Sequence, residues 1–183
     1  ESTRGNDMPP VIVRGRMKGG RTSVEAHTSQ YLSSLLLAAP CADDETVIDV
    51  PLLNEAPYVS MTLAWLDRLG IVYRNEDMRR FTVPGGQRYR PFDAYIPADF
   101  SSATFFAVAA AVTGARITLK GLDFADTQGD KAVIDIIERM GARVGKADRA
   151  ITIEGGEMKG GVFDLNAIPD ALPALAVAGC FAR

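Results

Sequence analysis

Three neighbouring polar residues, Thr28, Ser29 and Gln30, stand directly before a strongly apolar run at residues 32–39. The run predicts a helix, and the first turn of a helix carries unpaired backbone N–H groups and partial positive charge. The hydroxyls of Thr28 and Ser29 can cap these groups or share them with a phosphate, and the Gln30 amide can bond a polyol. The segment indicates an anion site, although an ordinary helix cap uses the same residue types.

The same arrangement recurs twice further along the chain. Ser29, Ser102 and Asp170 each stand at the start of an apolar run, and they are 73 and 68 positions apart. Gly70 and Gly141 each end an amphipathic segment and are 71 positions apart. Glycine at such a place is typical of a helix C-terminus. Repeats of this length indicate whole supersecondary modules, because solenoid units span only ~20–50 residues.

Hydrophobic periodicity predicts the elements that position these residues. The predicted strands are residues 11–14, 22–26, 45–50, 71–74, 80–83, 116–120, 143–146 and 150–153, with an extended stretch at 87–96. The predicted helices are residues 29–39, 58–69, 101–112, 131–140 and a segment from 170 onward, and a third copy is predicted to begin near 161–164. The repeated unit is β-α-β-α-β-β, which is typical of an α/β or α+β layered module.

Three of the predicted helices are apolar on nearly every side. They comprise residues 32–39, 105–112 and 172–178. A helix with little polar face is usually buried. We therefore expect the helices to pack inside, with the sheets outside them.

The composition is that of an ordinary globular protein, with 47% hydrophobic and 23% charged residues among 183. The net charge of −3 gives no support to nucleic-acid binding, and no run of 18 apolar residues predicts a membrane span. His27 is the only histidine, and Cys41 and Cys180 are isolated, which makes a histidine-based triad or a multi-histidine metal site improbable. A local basic cluster fits a solvated strand pair; it consists of Arg14, Arg16, Lys18 and Arg21.

Six short motifs along the chain resemble the enolpyruvyl transferase family, in particular its 5-enolpyruvylshikimate-3-phosphate (EPSP) synthases. Each is weak alone, but all six occur in order at compatible spacing. They are Thr28-Ser29-Gln30, Ala56-Pro57-Tyr58, Pro84-Gly85-Gly86-Gln87, Asp99-Phe100-Ser101-Ser102, Gln128-Gly129-Asp130 and Ile168-Pro169-Asp170.

The resemblance implies a fold of two lobes, each built from three β-α-β-α-β-β units with the helices inside, an inside-out prism. The chain would cross between the lobes near residues 96–98. We therefore expect residues 1–96 to form part of the shikimate-phosphate-binding lobe and residues 97–183 part of a second, truncated lobe. The abrupt ends suggest an internal fragment of a longer, monomeric, cytoplasmic enzyme.

The activity that the resemblance implies is transfer of the enolpyruvyl group from phosphoenolpyruvate to the 5-hydroxyl of shikimate 3-phosphate, with no cofactor and no metal. Thr28 and Ser29 would hold the shikimate phosphate, Gln30 would contact the ring hydroxyls, and Tyr58 would lie against the same substrate. Asp170 would serve proton transfer at the attacking oxygen. Its alternative role is a helix cap after Pro169.

Two positions depart from the family pattern. Glu55 stands where the family often has a phosphate-contacting serine, and a carboxylate there would repel the substrate phosphate. Ser60 replaces a common acidic residue. The cationic residues that the family uses for phosphoenolpyruvate are expected outside this chain, so the chain alone is expected to be inactive.

Two other classes of function remain as alternatives. The first is the sister enzyme that transfers enolpyruvyl to UDP-N-acetylglucosamine, which usually has a reactive-loop cysteine and lacks the Ser-Ser-Gln helix. The second is a non-enzymatic or RNA-end-processing protein that uses similar modules. The acidic balance of the chain and the Thr28-Ser29-Gln30 motif argue against the second alternative.

Overall fold

The computed structural model describes residues 1–183 and contains two separate hydrophobic cores. One core holds 12 buried residues between Ala26 and Val83, and the other holds 20 between Phe100 and Ala178. No residue belongs to both. The assignment of residues 1–96 and 97–183 to two different lobes stays a prediction.

The first core is one complete copy of the predicted unit. Its elements in chain order are β1 (Gly20–Ala26), α1 (Ser29–Ala38), β2 (Thr46–Leu53), α2 (Ala56–Arg68), β3 (Arg74–Glu76) and β4 (Arg80–Val83). The four strands form one sheet in the order β1-β2-β4-β3, in which β1 and β2 are parallel and the other pairs antiparallel. Helices α1 and α2 bury Leu32, Leu36, Leu63 and Leu66 within this core.

The second core repeats this arrangement without the opening strand. It contains α3 (Phe100–Thr113), β5 (Arg116–Lys120), α4 (Ala132–Arg139), β6 (Arg143–Ala147), β7 (Ala150–Glu154) and α5 (Leu172–Cys180). Its sheet has the order β5-β7-β6, entirely antiparallel, which reproduces the order β2-β4-β3 of the first sheet. Gly70 and Gly141 follow α2 and α4 with φ values of 69° and 112°, so the predicted glycine helix ends are confirmed.

The strand predicted at residues 11–14 is wrong because it has no neighbouring strand along its length. These residues make only an isolated bridge from Val11 to Ser2, and Val13 is 89% exposed. Residues 161–164, near which the third copy is predicted to begin, are not in a strand either. A β-branched run favours an extended backbone, but a strand needs a hydrogen-bonded partner along its length.

The strand predicted at residues 71–74 instead begins at Arg74, and a side chain explains the shift. The Gln87 amide donates to the Val72 carbonyl at 2.9 Å and accepts from the Val72 N–H at 2.8 Å. The same nitrogen donates to the Pro84 carbonyl at 2.7 Å. Gln87, from the Gly-Gly-Gln motif, therefore satisfies backbone groups that a neighbouring strand would otherwise bond.

The apolar helices pack against the cores as expected, but they also leave apolar side chains exposed in this chain. Phe105 and Phe106 on α3 are 52% and 59% exposed, and Leu172 and Val177 on α5 are 56% and 50% exposed. Each helix buries one side against its core. Apolar composition indicates that a helix can be buried, but it does not show that the partners for every side lie in the same chain.

Asp99 fixes the start of α3. Its carboxylate accepts from the backbone N–H groups of Ser101 at 3.1 Å and Ser102 at 2.9 Å. Burial acts to raise the pKa of Asp99, but the bonds from Ser102 and Ser101 outweigh it, so the pKa lies below its ordinary value. The charged carboxylate therefore stabilises the helix start.

We expect Asp99→Ala to lower the free energy of unfolding by about 1 kcal/mol at pH 7. Because the folded-state pKa is depressed, this contribution is complete above the unfolded-state pKa of about 3.9 and disappears as pH falls through the folded-state value. Urea unfolding at several pH values measures the difference. Asp99→Asn, an uncharged but good cap, is the control and should lose less. If the difference in unfolding free energy between Asp99→Ala and the unmodified protein stays the same at acidic pH, the charged carboxylate is not what stabilises the helix start.

Candidate active site

The N-terminus of α1 presents the predicted hydroxyl and amide groups at one wall of a cavity. The cavity has a volume of about 240 Å³. Thr28 is the N-cap of α1, and its hydroxyl accepts from the Gln30 N–H at 3.5 Å. Ser29 is 5% exposed, whereas Gln30 is exposed. The positive end of α1 and the two hydroxyls therefore lie at the wall of this cavity.

Residues next to the second core line the same cavity. They are Pro169 and Asp170, in a single 3-10 turn (Pro169–Ala171) before α5. The N-cap residues of this turn and of α5 are Ile168 and Ala171, and neither provides a side-chain cap. Asp170 lies in the first turn with its side chain exposed, so its role in proton transfer stays a prediction beside a role at the helix start.

Tyr58 connects α2 of the first core to the turn that precedes α4 in the second core. It lies in the first turn of α2 and lines the cavity, and its hydroxyl donates to Oδ2 of Asp130 at 2.6 Å. The Ser101 hydroxyl donates to the same oxygen at 2.9 Å. Burial, followed by the bond to the Asp130 carboxylate, strongly raises the pKa of the Tyr58 phenol, with a smaller effect from the charge of Asp170. The phenol therefore stays protonated and acts as a donor.

Asp130 is a site-forming residue to which sequence reasoning assigned no role. It is 2% exposed and belongs to the Gln128-Gly129-Asp130 motif. Its second oxygen, Oδ1, is buried without a hydrogen-bond partner. The sequence shows only an acidic residue next to a glycine, which is typical of a turn. Its bond to Tyr58 was not predictable, because Tyr58 is 72 positions away in the sequence.

The other two residues of this motif also join separate parts of the chain. The Gln128 amide accepts from the Phe100 N–H at 2.8 Å and donates to the Ala98 carbonyl at 3.1 Å. A Cβ added at Gly129 would lie 2.6 Å from Cβ of Pro57, which is shorter than any ordinary contact. The motif therefore connects Ala98 to the start of α3 and allows α2 to approach closely.

Glu55 occupies the α1 N-terminus directly. Its Oε2 accepts from the Ser29 N–H at 2.9 Å, from the Ser29 hydroxyl at 2.8 Å and from the Thr28 hydroxyl at 3.2 Å. Burial acts to raise the pKa of Glu55, but the bonds from Ser29 and Thr28 outweigh it and lower the pKa. The carboxylate is therefore charged at neutral pH.

All five residues predicted for the site line this one cavity: Thr28, Ser29, Gln30, Tyr58 and Asp170. Asp170 also lines a second cavity, of about 550 Å³, which it shares with Ser101 and Phe105. None of the five lines a third cavity, of about 410 Å³, beside Tyr95 and Pro97. Ser60, the second departure from the family pattern, bonds the Ala56 carbonyl of its own helix at 3.3 Å and does not line the smallest of these cavities.

Other classes of site find no support. No group of three or more His, Cys, Asp or Glu side chains could hold a metal ion. None of the helices has the length and apolar character needed to cross a membrane. In the basic cluster, Arg16 and Lys18 pair with Asp43, and Arg21 pairs with Asp49. Only Arg21 lies in a strand, so the predicted strand pair is wrong, because the segment before Gly20 finds no partner strand.

Comparison with solved structures identifies the class of protein to which this fold belongs. The EPSP synthase of Acinetobacter baumannii superposes on 100% of the chain with a TM-score of 0.71 and 28% identity, and the match covers 44% of that structure. The enolpyruvyl transferase NikO of Streptomyces tendae superposes on 92% of the chain and 43% of its own, with a TM-score of 0.65 and 18% identity, which shows the fold alone. The fold is that of an enolpyruvyl transferase.

Sequence comparison identifies the family within that class. The family model "EPSP synthase (3-phosphoshikimate 1-carboxyvinyltransferase)" matches residues 1–183, and the chain belongs to this family. The 3-phosphoshikimate 1-carboxyvinyltransferases of Acetivibrio thermocellus and Ruminiclostridium cellulolyticum are 56% and 52% identical over 182 residues. The chain spans about 43% of the length of these curated relatives.

Proposed function

We propose that the protein carrying this chain transfers the enolpyruvyl group of phosphoenolpyruvate to the 5-hydroxyl of shikimate 3-phosphate. One observation carries the proposal. Hydroxyl groups at the α1 N-terminus and the exposed Asp170 carboxylate line a single cavity. A ligand with a phosphate at one end and a reacting hydroxyl at the other fits this arrangement.

The residue roles follow from the chemistry of each group. Thr28 and Ser29 would donate hydroxyl and backbone hydrogen bonds to the phosphate of the substrate, with support from the α1 dipole. Gln30 and Tyr58 would orient the ring, since an amide bonds hydroxyls in both directions and the protonated phenol provides an aromatic face. Asp170 would take the proton of the attacking 5-hydroxyl. The hydroxyl oxygen would bond the enolpyruvyl carbon of phosphoenolpyruvate, and the bond from that carbon to phosphate would break, releasing inorganic phosphate. A positioned base contributes ~10²–10⁴-fold to rate.

We extend the proposal to the lobes, the partners and the location of the protein. The two cores would form parts of two lobes that meet at the cavity, with residues 1–96 in one lobe and 97–183 in the other. The partners would be the two small-molecule substrates and no nucleic acid. The protein would act as a cytoplasmic monomer.

The full-length protein should release phosphate from phosphoenolpyruvate when shikimate 3-phosphate is present, with turnover of roughly 1–10³ per second. A continuous phosphate-release assay measures it, with identification of the product by mass spectrometry. UDP-N-acetylglucosamine in place of shikimate 3-phosphate is the matched control and should give no release. Turnover with the UDP-sugar, or none with shikimate 3-phosphate, would contradict the proposal.

A further inference from the structure

The Glu55 carboxylate accepts hydrogen bonds from the same donors, on Thr28 and Ser29, that would bind the substrate phosphate in the proposed function. A single carboxylate oxygen accepts from one backbone N–H and two hydroxyls at the α1 N-terminus, at 2.8 to 3.2 Å. No cation pairs with this carboxylate in the structure, and its charge is balanced by these donors and the positive end of the helix. Glu55 therefore behaves as an anion already bound in the site.

The backbone at Glu55 is held in an uncommon conformation. Its φ and ψ values of 56° and 38° place it in the left-handed region, where side-chain-bearing residues incur a steric cost. Glu55 is also the residue directly before α2, yet its side chain does not cap that helix. It points instead to α1, 26 positions earlier in the chain. Bonding between the carboxylate and α1 offsets this local cost.

We propose that Glu55 is an internal competitor for the phosphate group and sets the affinity of the site for phosphorylated substrate. The inference rests on the proposed function. The Glu55 carboxylate and a substrate phosphate cannot both bond the Ser29 N–H and the two hydroxyls. Two negative charges in contact with the same donors would also repel each other strongly. Phosphate binding therefore requires the Glu55 side chain to leave the α1 N-terminus, and the affinity is reduced by the free energy of that displacement.

The displacement has a consequence for substrate selectivity. Only a ligand that brings an anion to the α1 N-terminus must displace Glu55, whereas shikimate without its phosphate can contact Gln30 and Tyr58 with Glu55 in place. Glu55 thus lowers the preference of the site for the phosphorylated form over the unphosphorylated one. It is a specificity-determining residue that acts by occupying the phosphate position.

The test compares shikimate 3-phosphate with shikimate as ligands of the full-length protein. In the variant Glu55→Ser, the dissociation constant for shikimate 3-phosphate should fall by about tenfold, while that for shikimate changes less than about twofold. Isothermal titration calorimetry measures both constants. Glu55→Gln, which keeps the side-chain size and removes the charge, should also bind shikimate 3-phosphate more tightly than the unmodified protein.

Glu138→Ser is the matched control for net charge, because Glu138 is exposed on α4 in the other core. It should leave both dissociation constants unchanged. A melting curve for each variant distinguishes lost folding from altered binding.

Unchanged or weaker binding of shikimate 3-phosphate by both Glu55 variants would overturn this inference. The proposed function would still stand if the unmodified protein turned over shikimate 3-phosphate. Equal loss of affinity for both ligands in Glu55→Ser, with none in Glu55→Gln, would assign Glu55 a purely structural role and also overturn it. An unmodified protein without turnover and without binding would refute the proposed function, and this inference with it.

Discussion

Replacing Asp170 by asparagine is expected to lower turnover of the full-length enzyme by roughly 100-fold or more at saturating substrate, with little change in shikimate 3-phosphate binding. Asparagine keeps the size and most of the hydrogen-bonding capacity of aspartate, but it cannot accept a proton from the attacking hydroxyl. The N-cap residues of its turn and of α5 are Ile168 and Ala171, and asparagine is as good a residue as aspartate at a helix start, so the substitution should not destabilise the helix. Steady-state kinetics with both substrates varied gives the separate effects on kcat and KM.

Asp148→Asn is the control for this substitution. Asp148 is exposed in the turn between β6 and β7 and does not line the cavity, so its replacement should change neither constant. Near-normal turnover in Asp170→Asn, or a change confined to KM, would remove the proton-transfer role of Asp170 and leave it as a binding residue.

Gly129→Ala is expected to displace α2 from the turn that contains Gly129. The added methyl would lie 2.6 Å from Cβ of Pro57 and 3.3 Å from the Ala167 carbonyl oxygen, so α2 must move away. The adjacent bond from Tyr58 to Asp130 would then lengthen or break. Overpacking of this kind costs about 1–3 kcal/mol, and misplacement of Tyr58 should lower kcat/KM by about tenfold or more.

Gly145→Ala is a matched control for Gly129→Ala. Gly145 lies in β6, and the nearest atom to an added Cβ there is 3.9 Å away. Neither glycine needs a left-handed backbone, so the two variants differ mainly in the space around the methyl group. Thermal unfolding and steady-state kinetics of both variants measure the difference. Equal effects at the two positions would contradict a role for close packing between α2 and the Gly129 turn.

The elements with strong local patterns were predictable from the sequence. Strands β4 and β5 have the predicted boundaries, and α1 begins at Ser29 as expected. Local hydrophobic period and capping chemistry determine these features. The strand predicted at residues 71–74 was wrong because a side chain 15 positions later, Gln87, bonds the backbone at Val72. Local propensity contains no information about such a partner.

The sequence names five candidate residues that the structure brings to one cavity, and their roles stay predictions; the connections between them were not predictable. The motifs predicted Thr28, Ser29, Gln30, Tyr58 and Asp170, and all five line one cavity. The bond from Tyr58 to Asp130 depends on how two separate cores pack, and spacing along the chain does not predict it. Glu55 was expected to repel a phosphate; the structure adds that its own carboxylate bonds the α1 N-terminus.

The three apolar helices of the chain begin in different ways. Thr28 and Asp99 accept hydrogen bonds from backbone N–H groups at the starts of α1 and α3. Helix α5 begins without a side-chain cap, so the backbone N–H groups of its first turn have no side-chain partner. The start of α5 is therefore the least stabilised of the three by side chains.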